Sequence, residues 1–209
     1  MTKVKLKAPF IFLFILALVV LPVLTLKFVS SEPNDLTESV GPTIDEYQET
    51  DLPVVSETTT IINPYLDQSV TMKKGYYDYK ADEENQISSI VNHDNTYIQN
   101  TGIDYTSENV FDVVAILNGT VTEVKDDEEL GKIVEIKHDN GMTSIYQSLS
   151  EINVKKDDVI TQGTVIGKSG ENKLDKDLGN HLHFEIYNNG QSVNPLDYLN
   201  TQVSLEKEN

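Results

Sequence analysis

The chain contains no cysteine and no arginine. Without cysteine there are no disulfides and no thiolate metal ligands, so any zinc would have to rest on His, Asp or Glu. At 209 residues the chain is long enough to build a core without covalent staples. Without arginine, all 16 basic residues are lysines, set against 34 acids for a net charge of −18. Their distribution sharpens the asymmetry. Lys3, Lys5, Lys7 and Lys27 flank an N-terminal apolar segment, and no acid precedes Glu32. The remainder holds 12 lysines against the same 34 acids. A body of that sign is repelled by phosphate backbones, which argues against nucleic acid as a partner. Acidity of this kind keeps an exported domain soluble, or steers it toward a basic partner surface.

Residues 8–26 are apolar except at Pro9, Pro22 and Thr25. As a helix this run spans about 28 Å, close to the hydrocarbon thickness of a bilayer. Three lysines precede it, so the positive-inside rule places residues 1–7 in the cytoplasm. No A-x-A cleavage site follows, and Val29-Ser30-Ser31 is only a weak substitute. Residues 8–29 therefore read as a single uncleaved transmembrane anchor, with the rest of the chain outside the cytoplasm. Residues 30–52, rich in Ser, Thr, Pro, Asp and Glu, read as a flexible acidic tether that reaches about 75 Å when extended. A folded domain is expected over 53–200, followed by a polar tail over 201–209.

The texture of the domain is β. Val54–Ile62 and Val70–Tyr79 are extended candidates, and Asp82–Val91 suits a short helix with Ile87, Ile90 and Val91 on one face. Beyond Gly102, short strand-like runs alternate with turn signals. Asn118-Gly119, Asp139-Asn140-Gly141 and Asn188-Asn189-Gly190 each predict a hairpin, and Val159–Ile166 carries Gly163 inside it. This spacing predicts an all-β fold, an antiparallel sheet or sandwich. No internal repeat is evident.

The chemistry concentrates at His181-Leu182-His183-Phe184-Glu185. Side chains alternate along a strand, so the two histidines face the same way and suit one zinc-centred site, one as ligand and one as acid/base. The stretch His181–Ile186, followed by Gly190 and Asn194-Pro195-Leu196-Asp197-Tyr198-Leu199, resembles the C-terminal signature of the lysostaphin/LytM-type zinc metallopeptidases. Gly102-Ile103-Asp104 matches part of that family's H-x-G-x-D element, Gly119-Thr120-Val121 its turn, and Gly163 with Ile166-Gly167 its later loop. The resemblance covers about residues 76–200. It implies zinc ligands at Asn100, Asp104 and His183, and catalytic histidines at Gln147 and His181. Two of those five positions have lost the imidazole.

Both losses fall on the reaction itself. A catalytic zinc takes three good protein ligands and leaves one position open for water. The amide oxygen of Asn100 is a much poorer donor than an imidazole nitrogen. Even the loss of an outer partner costs about 10- to 100-fold in metal affinity. Gln147 hydrogen-bonds but does not exchange a proton near neutral pH, and a positioned acid/base is worth about 10²- to 10⁴-fold in rate. Penalties within one mechanism need not multiply, yet either alone leaves a feeble enzyme. His93 and His138 are the remaining histidines. Each reads as an exposed loop residue or, for the zinc alternative, as a substitute ligand. Asp104, His181 and His183 read equally as relics that pack or hydrogen-bond in an old cleft, with Asp104 as a solvated carboxylate.

Within the family, the stage II sporulation protein Q branch is similar throughout: a short cytoplasmic segment, one anchor, a tether, and a LytM-type domain that in several members lacks zinc ligands. Asn100-Thr101-Gly102-Ile103-Asp104 resembles that degenerate form, and Lys73–Asp78 with its tyrosine pair fits the branch less specifically. The resemblance implies a catalytically inactive module in the forespore membrane, without zinc, that projects into the space between forespore and mother cell. Its implied partner is the ectodomain of the stage III sporulation protein AH. Pairing would proceed by strand addition at a sheet edge, which also permits ring-shaped homo-oligomers with the partner. Two alternatives stand beside this. One is an active zinc endopeptidase of peptidoglycan using Asp104, His183 and a third ligand such as His93, with His181 as acid/base. The other is a module that binds peptidoglycan in the vestigial cleft without cutting it.

Overall fold

The computed structural model describes residues 57–205. The expected anchor over 8–29, the tether over 30–52 and the last tail residues, 206–209, lie outside the described residues. Every strand pairing among the described residues is antiparallel. The β-rich expectation from turn spacing is met by one dominant ten-stranded sheet and two small two-stranded ones.

The centre of the large sheet is β12 (His181–Asn188), flanked by β9 (Met142–Ile152) on one side and β5 (Ile103–Thr106) on the other. Outward from β9 come β8 (Gly131–His138), β7 (Gly119–Asp127) and the two-residue edge strand β10 (Val159–Ile160). Outward from β5 lies the other edge, β2 (Thr71–Lys74). β13 (Gln191–Val193) pairs with β12, while β11 (Val165–Ser169) joins β9 to β6 (Asp112–Val114). β1 (Glu57–Thr60) pairs with β14 (Gln202–Leu205), which lies within the stretch read as a polar tail. β3 (Ile90–His93) and β4 (Thr96–Gln99) form a separate hairpin.

Alternation explains both faces of the central sheet. On β12, Leu182, Phe184 and Ile186 are fully buried in the core, where Phe184 packs on Tyr146 of β9 at a centroid distance of 5.3 Å. His181, His183 and Glu185 occupy the opposite face. On β5, Ile103 and Tyr105 join the core and Asp104 takes the other side. The register then fixes the site: His183 stands opposite Gln147 on one flank and opposite Asp104 on the other.

Two of the three hairpin signals hold. The first turn follows His138, with Gly141 at φ 79°; the second is Asn189-Gly190, at φ 50° and 76°. Asn118-Gly119 does not turn a hairpin. β6 and β7 pair with other strands, and Gly119 is a strand residue opposite His138. Its glycine serves close approach: a Cβ there would lie 2.4 Å from the Lys137 carbonyl oxygen. The run Val159–Ile166 breaks into β10 and β11 around a turn with Gly163 at φ 80°.

The expected helix is shorter than its pattern. Asp82 caps α1 (Glu83–Ser88) by accepting from the Asn85 N–H at 2.9 Å. Ile87 is 66% exposed, and Ile90 and Val91 already belong to β3, so the three apolar residues share no helical face.

Candidate functional site: a closed histidine–carboxylate cluster

Asn100 follows β4 directly, and Asp104 sits on β5 two residues beyond Gly102. No larger residue fits at 102, because a Cβ would lie 2.3 Å from the Phe184 carbonyl oxygen. This close approach draws the Asn100–Asp104 segment against β12. Asp104 is 2% exposed, which corrects the reading of it as a solvated carboxylate. Its Oδ1 bonds His183 Nδ1 at 2.8 Å, and its Oδ2 accepts from Asn100 Nδ2 at 3.0 Å. That amide nitrogen also donates to the carbonyls of Gly75 and Gly102, at 2.9 and 3.1 Å. The second ring nitrogen of His183 meets Glu185 Oε1 at 3.0 Å, and Glu185 in turn accepts from the Thr101 hydroxyl.

The electrostatics follow from these contacts. Burial alone would push the His183 imidazole down. Hydrogen bonds and charge from Asp104 and Glu185 outweigh it and hold the pKa up at about 10. Glu185 shifts down: burial opposes its charge, but His183 and Thr101 prevail. His183, 13% exposed, is thus held toward its protonated form by the two carboxyl side chains beside it.

This donor set does not fit a catalytic zinc. Both ring nitrogens of His183 are engaged by carboxylate oxygens, Asp104 Oδ1 at 2.8 Å and Glu185 Oε1 at 3.0 Å. Asn100 turns an N–H toward Asp104, and an N–H is no ligand. No group of three His, Cys, Asp or Glu side chains arranged for a metal occurs among the described residues.

Gln147 lies in a β-bulge of β9, where the pairing with β8 slips between Lys132 and Val134. The next residue, Ser148, takes φ 64° and turns its hydroxyl to His181 Nε2 at 2.9 Å. His181 is fully buried. Its Nδ1 donates to the Gly179 carbonyl at 2.8 Å, and its Nε2 also receives Asn172 Nδ2 at 3.1 Å. With both nitrogens engaged, His181 is built into the wall.

Four of the five expected positions, Asn100, Asp104, Gln147 and His183, line one cavity of about 180 Å³. His181 reaches it only through Asn172, which does line it. The two spare histidines lie elsewhere. His93 Nδ1 donates to the Leu174 carbonyl at 3.1 Å. His138 is 3% exposed, which corrects its reading as a loop residue. It bridges the Asn118 carbonyl and the Ser144 hydroxyl at 2.9 and 2.8 Å, and burial lowers its pKa. Sequence reasoning assigned no role to Glu185, although period-two spacing from His183 places it on the same face. Lys74, Asn172 and Asp175 carried no such signal; Lys74 and Asp175, which pair, lie 101 residues apart.

The model of peptidase family M23 matches residues 98–195. Over 205 residues the chain is 35% identical to the stage II sporulation protein Q of Bacillus subtilis (strain 168), covering 95% of this chain and 72% of that protein. The chain belongs to the stage II sporulation protein Q branch of the M23 family. Its solved protein Q relatives include the SpoIIQ–SpoIIIAH pore forming complex, with a chain 40% identical at a TM-score of 0.66, covering 68% of this chain and 91% of that one. The catalytic domain of the prophage-encoded M23 protein EnpA from Enterococcus faecalis is 26% identical at a TM-score of 0.50, over 65% of this chain and 95% of that one. The family and fold expected from the motif frame are therefore both found.

Proposed function

We propose that this protein Q-type chain is a non-catalytic scaffold of endospore formation. Its M23-type domain serves as a binding surface and carries no peptidase activity and no zinc. One observation carries this reading. At the family's metal position His183 lies between Asp104 and Glu185, which favour its protonated form, and Asn100 donates to Asp104. The positive charge that zinc would supply is already there as an imidazolium. Gln147 removes an acid/base from the same cleft.

The partner is proposed from relationship. Protein Q relatives at 40% identity are solved with SpoIIIAH, and we assign this chain an AH-type ectodomain as its partner. Residues 8–29 would anchor the chain in the forespore membrane and present the domain to the intermembrane space. Rings would be built with the partner, with strand addition as the means of pairing. The zinc endopeptidase alternative is less well supported, because His93 is bonded to the Leu174 carbonyl and not aimed at Asp104.

The test mixes the purified full-length chain in detergent with an AH-type ectodomain, followed by size exclusion with light scattering. A stable complex, unchanged by chelator, is expected. Absence of a complex together with zinc-dependent cleavage of cell-wall peptides would overturn the proposal.

A further inference from the structure

We propose that the cleft over the relic site is roofed, and that this roof shuts extended peptides out independently of the two replaced histidines. The inference rests on the non-catalytic reading and extends it from chemistry to shape. The β3–β4 hairpin lines the cavity through Val91 and Ile98, and the segment carrying Asn172, Leu174 and Asp175 lines it as well. The two segments are tied to each other. His93 of the hairpin donates to the Leu174 carbonyl at 3.1 Å. Lys74 holds both at once, donating to the Ile90 carbonyl at 3.2 Å and pairing with Asp175.

The second segment is also fixed in place. Lys173 and Leu174 N–H groups donate to the Glu129 carbonyl at 2.9 and 3.2 Å, and Asn172 Nδ2 donates to the Ser148 hydroxyl at 2.7 Å. What remains is about 180 Å³, below the roughly 300–1,000 Å³ of ordinary ligand clefts. Exposed lining residues occur at Gln99 and Thr101 on one rim, while Gln147 on the floor is buried. Lys74, Ile90, Val91 and His93 all precede residue 98, where the match to the peptidase family begins.

The chain has no cysteine, so a single introduced thiol reports access without background. Gln147→Cys on the floor is compared with Thr71→Cys on exposed β2, each in the full-length chain. The reagents are a bulky polymer-linked maleimide and small iodoacetamide. The roof predicts polymer labelling at least about tenfold slower at the floor, with a smaller gap for iodoacetamide. Adding Lys74→Ala and His93→Ala is expected to raise floor labelling by about tenfold or more. Equal polymer rates at the two positions would overturn the roof, and an unchanged rate after removal of both ties would overturn their assignment. Val91→Cys, on the underside of the hairpin, gives the same comparison if Gln147→Cys folds poorly by circular dichroism. These rates report on access alone. Slow labelling beside measurable peptidase activity would sink the non-catalytic reading, while fast labelling of an inactive, partner-binding chain would sink only the roof.

Discussion

At His183 the fold places an imidazole, held toward its protonated form, between two carboxyl side chains in a largely enclosed site. Removing one member of a buried charge cluster leaves the others uncompensated, so His183→Ala is expected to destabilise the domain by about 3–5 kcal/mol in urea unfolding. The effect depends on pH with a defined sign. The folded pKa, about 10, lies above the unfolded value of about 6.5, so the stabilisation is complete below about pH 6.5 and fades as pH rises through 10. The melting-temperature gap between the natural chain and His183→Ala should therefore narrow between pH 7 and 10.5. A gap that widened would contradict the charge assignment. Gly102→Ala tests the close approach that brings Asp104 to His183, and overpacking against the Phe184 carbonyl predicts a loss of about 1–3 kcal/mol. Asp104 and His183 were legible from motif spacing. Their closure on each other was not, because it depends on which strands lie side by side.

Among the elements, β12 was the clearest in sequence: strict alternation, a two-residue turn behind it, and a full apolar face. Phe184→Ala, at the centre of that face, should cost about 3–5 kcal/mol without altering the His183 cluster, read as an unchanged pH response of what stability remains. The misread elements failed for physical reasons. Asn118-Gly119 carries the composition of a turn, yet its glycine is there because strand β8 passes too close for a Cβ. The apolar run Ile87, Ile90 and Val91 mixes a helix end with a strand start, and local periodicity cannot mark that seam. The bulge at Gln147 and Ser148 leaves no signal at all, since both residues are ordinary in a strand. It nonetheless sends the Ser148 hydroxyl to His181 and fixes that histidine in the wall.

For the whole molecule, composition and motif frame told more than any single residue. The absence of cysteine limited metal ligands to His, Asp and Glu, and the absence of arginine with 34 acids argued against nucleic acid. The five-position frame read as a hydrolase design with two histidines expected to be replaced, and the family it points to is the one matched. The two cleft walls were not legible, because Lys74 and Asp175 meet only through folding. The central claim is that the imidazolium stands where a metal would. Its most direct test is the zinc content of the purified full-length chain after equilibration with micromolar zinc and desalting. The account predicts no retained zinc, with His183→Ala indistinguishable from the natural chain. One tightly held equivalent, lost in His183→Ala, would contradict it.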